Sequence, residues 1–249
     1  MADKKKQHYV PKFYLRNFAD FSRKSINLFN IPSNKFVSQG ALKNQAYSDY
    51  FYGKDAVVEN ALQDIETAVS SIIKNCIENR KIPPYGSEEH IILLTFIVFQ
   101  FSRTRYSGEM INEILNSLTK KIFSHDPRVK GDLDKVSVGF ENPATYALGI
   151  AAGNIPLMLD MKYKLIVNTT QIPIITSDNP VVAYNQFLEG RKVPGGITGL
   201  ATKGLQMFLP LSRDILLVFY DDTVYRVGNR KDSVVTVNNK LDIDYLNLL

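Results

Sequence analysis

The sequence predicts an α+β domain in which a helical N-terminal half packs with a mainly antiparallel C-terminal sheet. Three observations predict it. Between Asp55 and Ala152 apolar residues recur at helical spacing, whereas between Lys162 and Val237 short β-branched and aromatic runs are bounded by turn residues. The two patterns follow one another instead of alternating, which argues against βαβ units. With 249 residues and 45% hydrophobic content, one domain buries a substantial core. The expected organisation is a single domain over 1–249, with a flexible tail at 1–6, a mainly helical stretch at 55–160 and a mainly β stretch at 161–249.

The first stretch, Met1 to Lys6, is charged and lacks an apolar anchor, so it reads as a tail. Gln7 to Ala19, QHYVPKFYLRNFA, is too aromatic for a disordered segment and too polar for a core strand, so it must dock on something. His8 to Pro11 is extended because the residue before proline is pushed out of the helical region, and Lys12 to Phe18 makes a helical turn. Ile26 to Ile31 and Lys35 to Val37, split by Pro32, Ser33 and Asn34, form a hairpin. Gln45 to Gly53 is an ordered, tyrosine-rich loop.

From Asp55 to Arg80 the stripe Val58, Leu62, Ile65, Val69, Ile72, Ile73 and Cys76 predicts a helix that ends before Pro83 and Pro84. At 100° per residue Glu66 lies about 40° and Glu59 about 60° from Leu62, so two carboxylates edge the buried face. Ser87, followed by Glu88 and Glu89, caps a second helix running to Tyr106. It is apolar all round, which forces Gln100 into the interior, where a buried amide needs partners. A third helix, Glu109 to Phe123, carries Ile111, Ile114, Leu115, Leu118 and Ile122. Asn142 and Pro143 open a fourth, Ala144 to Ala152. Strands are expected at Lys162–Asn168, Ile172–Thr176, Leu205–Leu209, Ile215–Tyr220, Thr223–Val227 and Val234–Val237, with a hairpin turn at Asp221-Asp222. Asn238 to Leu249 is a helix whose continuation is expected to be missing, since no stop signal closes it.

Composition narrows the function classes. A single cysteine, Cys76 among isoleucines, forms no internal disulfide and reads as a small buried hydrophobe, so the chain is expected to be cytoplasmic. The longest apolar run, Ile91 to Phe101, is interrupted by Thr95 and Gln100 and too short for a bilayer, so no membrane insertion is expected. The net charge of +5 permits an anionic partner such as nucleic acid without demanding one. The glycine-rich Pro194–Gly204 lacks the GK[ST] ending of a phosphate loop and reads as a connection. No GxSxG elbow, zinc spacing, dinucleotide fingerprint or Cys-His pair is present.

Five motifs remain: HYVPKFYLRNF, VENALQDIE with its two glutamates, QFSRTR, TSDNPV, and the PLS at Pro210 to Ser212. Together they resemble the bacterial family of uncharacterised proteins DUF4238, over most of the chain. The resemblance implies a site containing His8, Pro11, Tyr14, Glu59, Glu66, Gln100, Arg103, Ser177, Asp178 and Pro180, and no settled activity.

The chemistry of these residues suggests roles. His8 exchanges protons near neutral pH, or else hydrogen-bonds a backbone group as its segment docks. Glu59 and Glu66 stand roughly 10 Å apart along a helix, too far to share a metal unaided, but one of them with His8 and Asp178 would suit a divalent cation. Arg103 presents a planar fork to phosphate or carboxylate, or pairs with Glu66 across a helix interface. Ser177 and Asp178 end a strand, where side chains meet ligands, or close a local turn. The expected function is an intracellular bacterial nuclease or related phosphodiesterase, in the class of toxins or defence effectors. His8, Glu66, Arg103 and Asp178 would be catalytic, and Tyr14, Glu59, Gln100 and Ser177 would bind substrate. The alternative is a non-enzymatic module that binds protein or nucleic acid and uses the same polar cluster structurally.

Overall fold

The chain is an α+β protein whose five-stranded sheet is covered by helices on one face and by a helix and loops on the other. The computed structural model describes residues 5–128 and 131–249. Residues 1–4 of the expected tail lie outside the described residues, and its last two positions are not tail. Lys6 opens a strand, β1 (Lys6–His8), paired antiparallel with β4 (Tyr47–Asp49), and the Lys5 carbonyl accepts from the Tyr50 amide at 2.8 Å. Backbone pairing holds this segment while the lysine side chains stay outside, Lys5 against Asp49 and Lys6 over the Tyr47 ring. A short helix, α1 (Lys12–Leu15), follows Pro11, and β2 (Ser25–Asn30) and β3 (Lys35–Ala41) form the expected hairpin. Strands therefore occur in the N-terminal part as well, and the long helices occupy the middle of the chain.

Three long helices follow. α2 (Val57–Asn79) buries Leu62, Val69, Ile72, Ile73 and Cys76, the stripe read from its periodicity. α3 (Glu88–Ser102) starts at Ser87, whose side chain accepts from the His90 amide, and ends four residues before the expected Tyr106. The chain turns there because Thr104 is extended and its hydroxyl accepts from the Ser107 amide, so it caps a new helix, α4 (Arg105–Phe123). α4 has the expected span, but its apolar stripe is not core. Ile114, Leu118 and Ile122 are exposed, as are Tyr106 and Met110, while Ile111 and Leu115 are half-buried, because α4 packs along one side only, through Asn112 and Asn116 to the 138–140 backbone and at Gly108, where a Cβ would sit 3.3 Å from the Pro143 ring. α5 (Pro143–Asn154) begins at that proline.

The C-terminal part is a sheet in the order β6 (Val182–Tyr184), β7 (Gln206–Pro210), β8 (Ile215–Tyr220), β5 (Lys162–Asn168), β9 (Val234–Val237). It is antiparallel except that β5 and β9 run parallel. β5 and β8 are central and buried on both faces. One face, with Tyr163, Leu165, Val167, Leu217 and Phe219, packs with α2 and α3 in the main core. The other, with Ile166, Phe208, Leu216 and Val218, is covered by Ile243 of α6 (Lys240–Leu248), Ile174 and the Tyr225–Val227 loop.

Two expected strands are not strands. Ile172–Thr176 is irregular because Pro173 offers no amide and the neighbouring groups bond singly: Ile174 N–H to the Arg213 carbonyl, Ile175 N–H to Asn247 Oδ1. Thr223–Val227 is irregular too, and Asp221 makes no hairpin turn; its carboxylate instead accepts from the amides of Thr223 and Gly204. Among the described residues no helix is long and apolar enough to cross a membrane.

Candidate functional site

Gln100 and Arg103 are three residues apart, hence on one face at the C-terminal end of α3. That face meets Glu66 of α2. Arg103 Nη1 donates to Glu66 Oε1 at 2.7 Å, and Nε donates to Gln100 Oε1 at 2.9 Å. Gln100 Nε2 donates in turn to the Tyr9 carbonyl at 3.0 Å. The polar positions that periodicity placed in an apolar interface thus satisfy one another and tie the segment following β1 to both helices. Arg103 and Gln100 are each 1% exposed, and Glu66 alone reaches solvent, at 26% of its side-chain surface. The guanidinium also lies against the Phe96 ring and beside Tyr52, and its Nη2 has no close hydrogen-bond partner among the described residues.

Tyr52 closes this cluster. Burial pushes its phenol well above the usual range, with Arg103 acting to lower it and Glu59 and Glu66 to raise it, so all three charges are its neighbours. Its hydroxyl points to the His8 carbonyl at 3.5 Å, and its backbone amide donates to Gln7 Oε1 at 2.6 Å, while Gln7 Nε2 donates to the Gly53 carbonyl. Sequence reasoning missed Gln7, Tyr9 and Tyr52. Their signal was weak, because Tyr9 contributes a backbone carbonyl and Gln7 reads as one more polar residue beside a basic tail.

The other expected site residues lie elsewhere. The His8 ring faces Tyr47, with Lys12 and Lys6 as its charged neighbours. Its pKa is lowered, chiefly by burial and then by Lys12 and Lys6, against a hydrogen bond with the Lys43 backbone. No hydrogen bond or ion pair among the described residues joins it to Glu66 or Asp178. Gln100 and Glu66 do need partners, as expected, but Arg103 and the Tyr9 carbonyl fill that role in place of His8 and Asp178.

Tyr14 is sealed at 1% exposure, its hydroxyl sharing a 2.8 Å hydrogen bond with Thr176 Oγ1. Ser177 closes a local turn, accepting from the Asn179 amide and donating to the Asn179 carbonyl. Asp178 is exposed and acts on the Tyr9 phenol, which burial raises first, Asp178 second, while Arg105 opposes. Glu59 belongs to the surroundings of Tyr52. Among the described residues no group of three His, Cys, Asp or Glu is arranged to hold a metal ion, so the expected His8, Asp178 and glutamate ligand set does not assemble.

A second histidine, His90, belongs to the core. It is buried, stacks on Tyr163 with ring centres 4.7 Å apart and planes 2° from parallel, and accepts the Gly86 amide on Nδ1. The neutral ring therefore carries its proton on Nε2, which has no acceptor among the described residues.

Open clefts on the described surface include one against α4 and one against β5. The first, about 360 Å³, lies between β4, α4 and α5 and is lined by Arg105, Glu109, Asn112 and Glu141 among others. The second, about 570 Å³, lies where β5 begins. None of the eight expected site residues lines either.

Against known proteins, the family model described as "Protein of unknown function (DUF4238)" matches residues 6–249. No curated protein and no solved structure matches the chain.

Proposed function

The chain belongs to the DUF4238 family, and we propose that it is a non-enzymatic module that binds nucleic acid, with the Glu66–Arg103–Gln100 cluster as an internal tie. The observation that carries this reading is the burial of Arg103, whose fork is committed to Glu66 and Gln100 at 1% exposure. A phosphate would reach it only by parting α2 from α3. The basic balance, +5 with a pI near 9.1, supports an anionic partner.

The phosphodiesterase reading, and the toxin or defence role attached to it, needs His8, Glu66 and Asp178 to act at one place. Their neighbours differ: lysines and Tyr47 for His8, Arg103 for Glu66, the Tyr9 phenol for Asp178. One assay separates the two readings. Purified protein is titrated into labelled single-stranded and duplex oligonucleotides, with and without Mg²⁺ or Mn²⁺, and both the mobility and the length of the probe are followed. Salt-sensitive binding without cleavage, equal in wild type and His8→Ala, is the expected result. Divalent-dependent cleavage abolished by His8→Ala would restore the enzyme.

A further inference from the structure

The cleft where β5 begins is built from residues that neither the polar cluster nor the motifs involve. Lys162 and Lys164 flank Tyr163, so the alternation of a strand puts both lysines on one face while Tyr163 enters the main core. In register, Lys162 stands opposite Tyr220 and Lys164 opposite Val218. The connection between β8 and β9 brings Arg226, Arg230 and Lys231 to the same cleft, along with Asp222 and Asp232. Five cations therefore face two carboxylates, and none of the five forms an ion pair among the described residues.

Lys164 is the unusual member. It is 4% exposed, and its ammonium donates to the neutral Asn229 carbonyl. Burial lowers its pKa, Asp232 acts to raise it and Arg226 to lower it further. An ammonium has three donors, and a tie to one carbonyl needs no charge at all; a neutral donor would serve. A desolvated cation beside four others is costly, and an anion entering the cleft relieves that cost.

Tyr85 adds the second element of recognition. It is 49% exposed at the rim, with Lys162 Nζ 3.7 Å from its ring centre. An exposed aromatic flanked by lysine and arginine is the combination that grips unstacked bases while cations hold the backbone. A cleft of about 570 Å³ has room for a nucleotide unit.

We propose that this cleft binds single-stranded nucleic acid, with Lys164, Lys162, Arg230 and Lys231 on the phosphates and Tyr85 against a base. The proposal rests on the nucleic-acid reading above and assigns its site. A single strand is favoured because a duplex keeps its bases stacked inside and offers none to Tyr85.

Fluorescence anisotropy of a labelled single strand about 12 nucleotides long, a length within the usual site size of such binders, tests it at several salt concentrations. Arg230→Glu/Lys231→Glu, both exposed and so safe for folding, should weaken binding at least ~10-fold and flatten the salt dependence by about two charges. Tyr85→Ala should weaken it at every salt concentration without changing that slope. Lys35→Glu/Lys192→Glu, a charge-matched pair outside the cleft, should stay within ~3-fold of wild type. If wild type binds and the two double variants weaken equally, the cleft assignment falls while the nucleic-acid reading stands. If wild type binds no oligonucleotide at low salt, both fall together. Duplex that competes as well as single strand, or a mononucleotide that competes equally per phosphate, overturns the single strand as occupant.

Discussion

Removing the Glu66 carboxylate is the sharpest test of a structural polar cluster. In Glu66→Ala the Arg103 guanidinium stays between α2 and α3, 1% exposed, keeping Gln100 and Tyr52 as polar neighbours. Breaking a buried pair from one side costs about 3–5 kcal/mol, because the surviving charge is left uncompensated. Glu66 is 26% exposed, so water follows the vacated carboxylate and brings the cost to the low end, about 3 kcal/mol. For a chain of this length that corresponds to a melting temperature lower by about 6–12 °C. Arg103→Met leaves a carboxylate able to turn outward and a Gln100 oxygen without its donor, for a loss of about 1–3 kcal/mol. The double variant has no buried charge to strand. It should therefore be less destabilised than the sum of the singles, by at least ~1.5 kcal/mol. Urea unfolding of the four proteins in the cycle measures this. A Glu66→Ala loss below about 1 kcal/mol, or strict additivity, would refute the reasoning and mark Arg103 as held for something other than Glu66.

Half-buried His8 and buried His90 give the chain a pH dependence of fixed sign. His8 and His90 both have pKa values lowered from the ordinary 6.5 by burial, so their contribution is complete above about 6.5 and is lost as pH falls toward their folded values, where only the unfolded chain takes up the proton. Urea midpoints from pH 8 to 5 should fall on acidification, and His8→Gln should flatten the fall; an unchanged midpoint across that range would contradict it. Gly204 has φ +81°, and a Cβ there would lie 2.8 Å from Phe187 Cβ and 2.9 Å from Asn185 Oδ1, so Gly204→Ala should cost roughly 2 kcal/mol or more by thermal melting. Leu118→Lys on the exposed stripe of α4 should change stability by less than ~0.5 kcal/mol. A larger loss in either chemical or thermal unfolding would show that this face is covered.

The helices were legible because their signal is local and repeated: each apolar position of Leu62, Val69, Ile72 and Ile73 restates the same period. The end of α3 was not, since a single threonine between two arginines decides it. Periodicity also reported that α4 has an apolar face without saying whether anything packs on it. In the sheet, strand-like composition at Ile172–Thr176 was overruled by Pro173 and by tertiary partners as distant as Asn247. The need of Gln100 for partners was readable from its place on an apolar helix. Their identity was not, because a backbone carbonyl such as that of Tyr9 leaves no mark in the sequence.

The motifs behind the family resemblance coincide with the long-range ties of the fold. VENALQDIE meets QFSRTR through Glu66 and Arg103; HYVPKFYLRNF meets QFSRTR through the Tyr9 carbonyl and Gln100, and meets TSDNPV through Tyr14 and Thr176, 162 positions apart. Each such contact closes a long loop, and a buried polar pair accepts few substitutes because a mismatched partner is left unsatisfied. Residues of this kind look catalytic in a sequence, being polar, unusual and grouped in motifs. The same description fits a clamp that fixes where the N-terminal segment sits. The cleft proposed above as a ligand surface is free of these motifs: Lys162 and Lys164 stand out only as charges in β5, and Arg230 and Lys231 lie in an irregular connection. On the proposal made above the fold divides the labour, with the motif residues holding register inside and a partner met where the sequence carries only charge and an exposed ring.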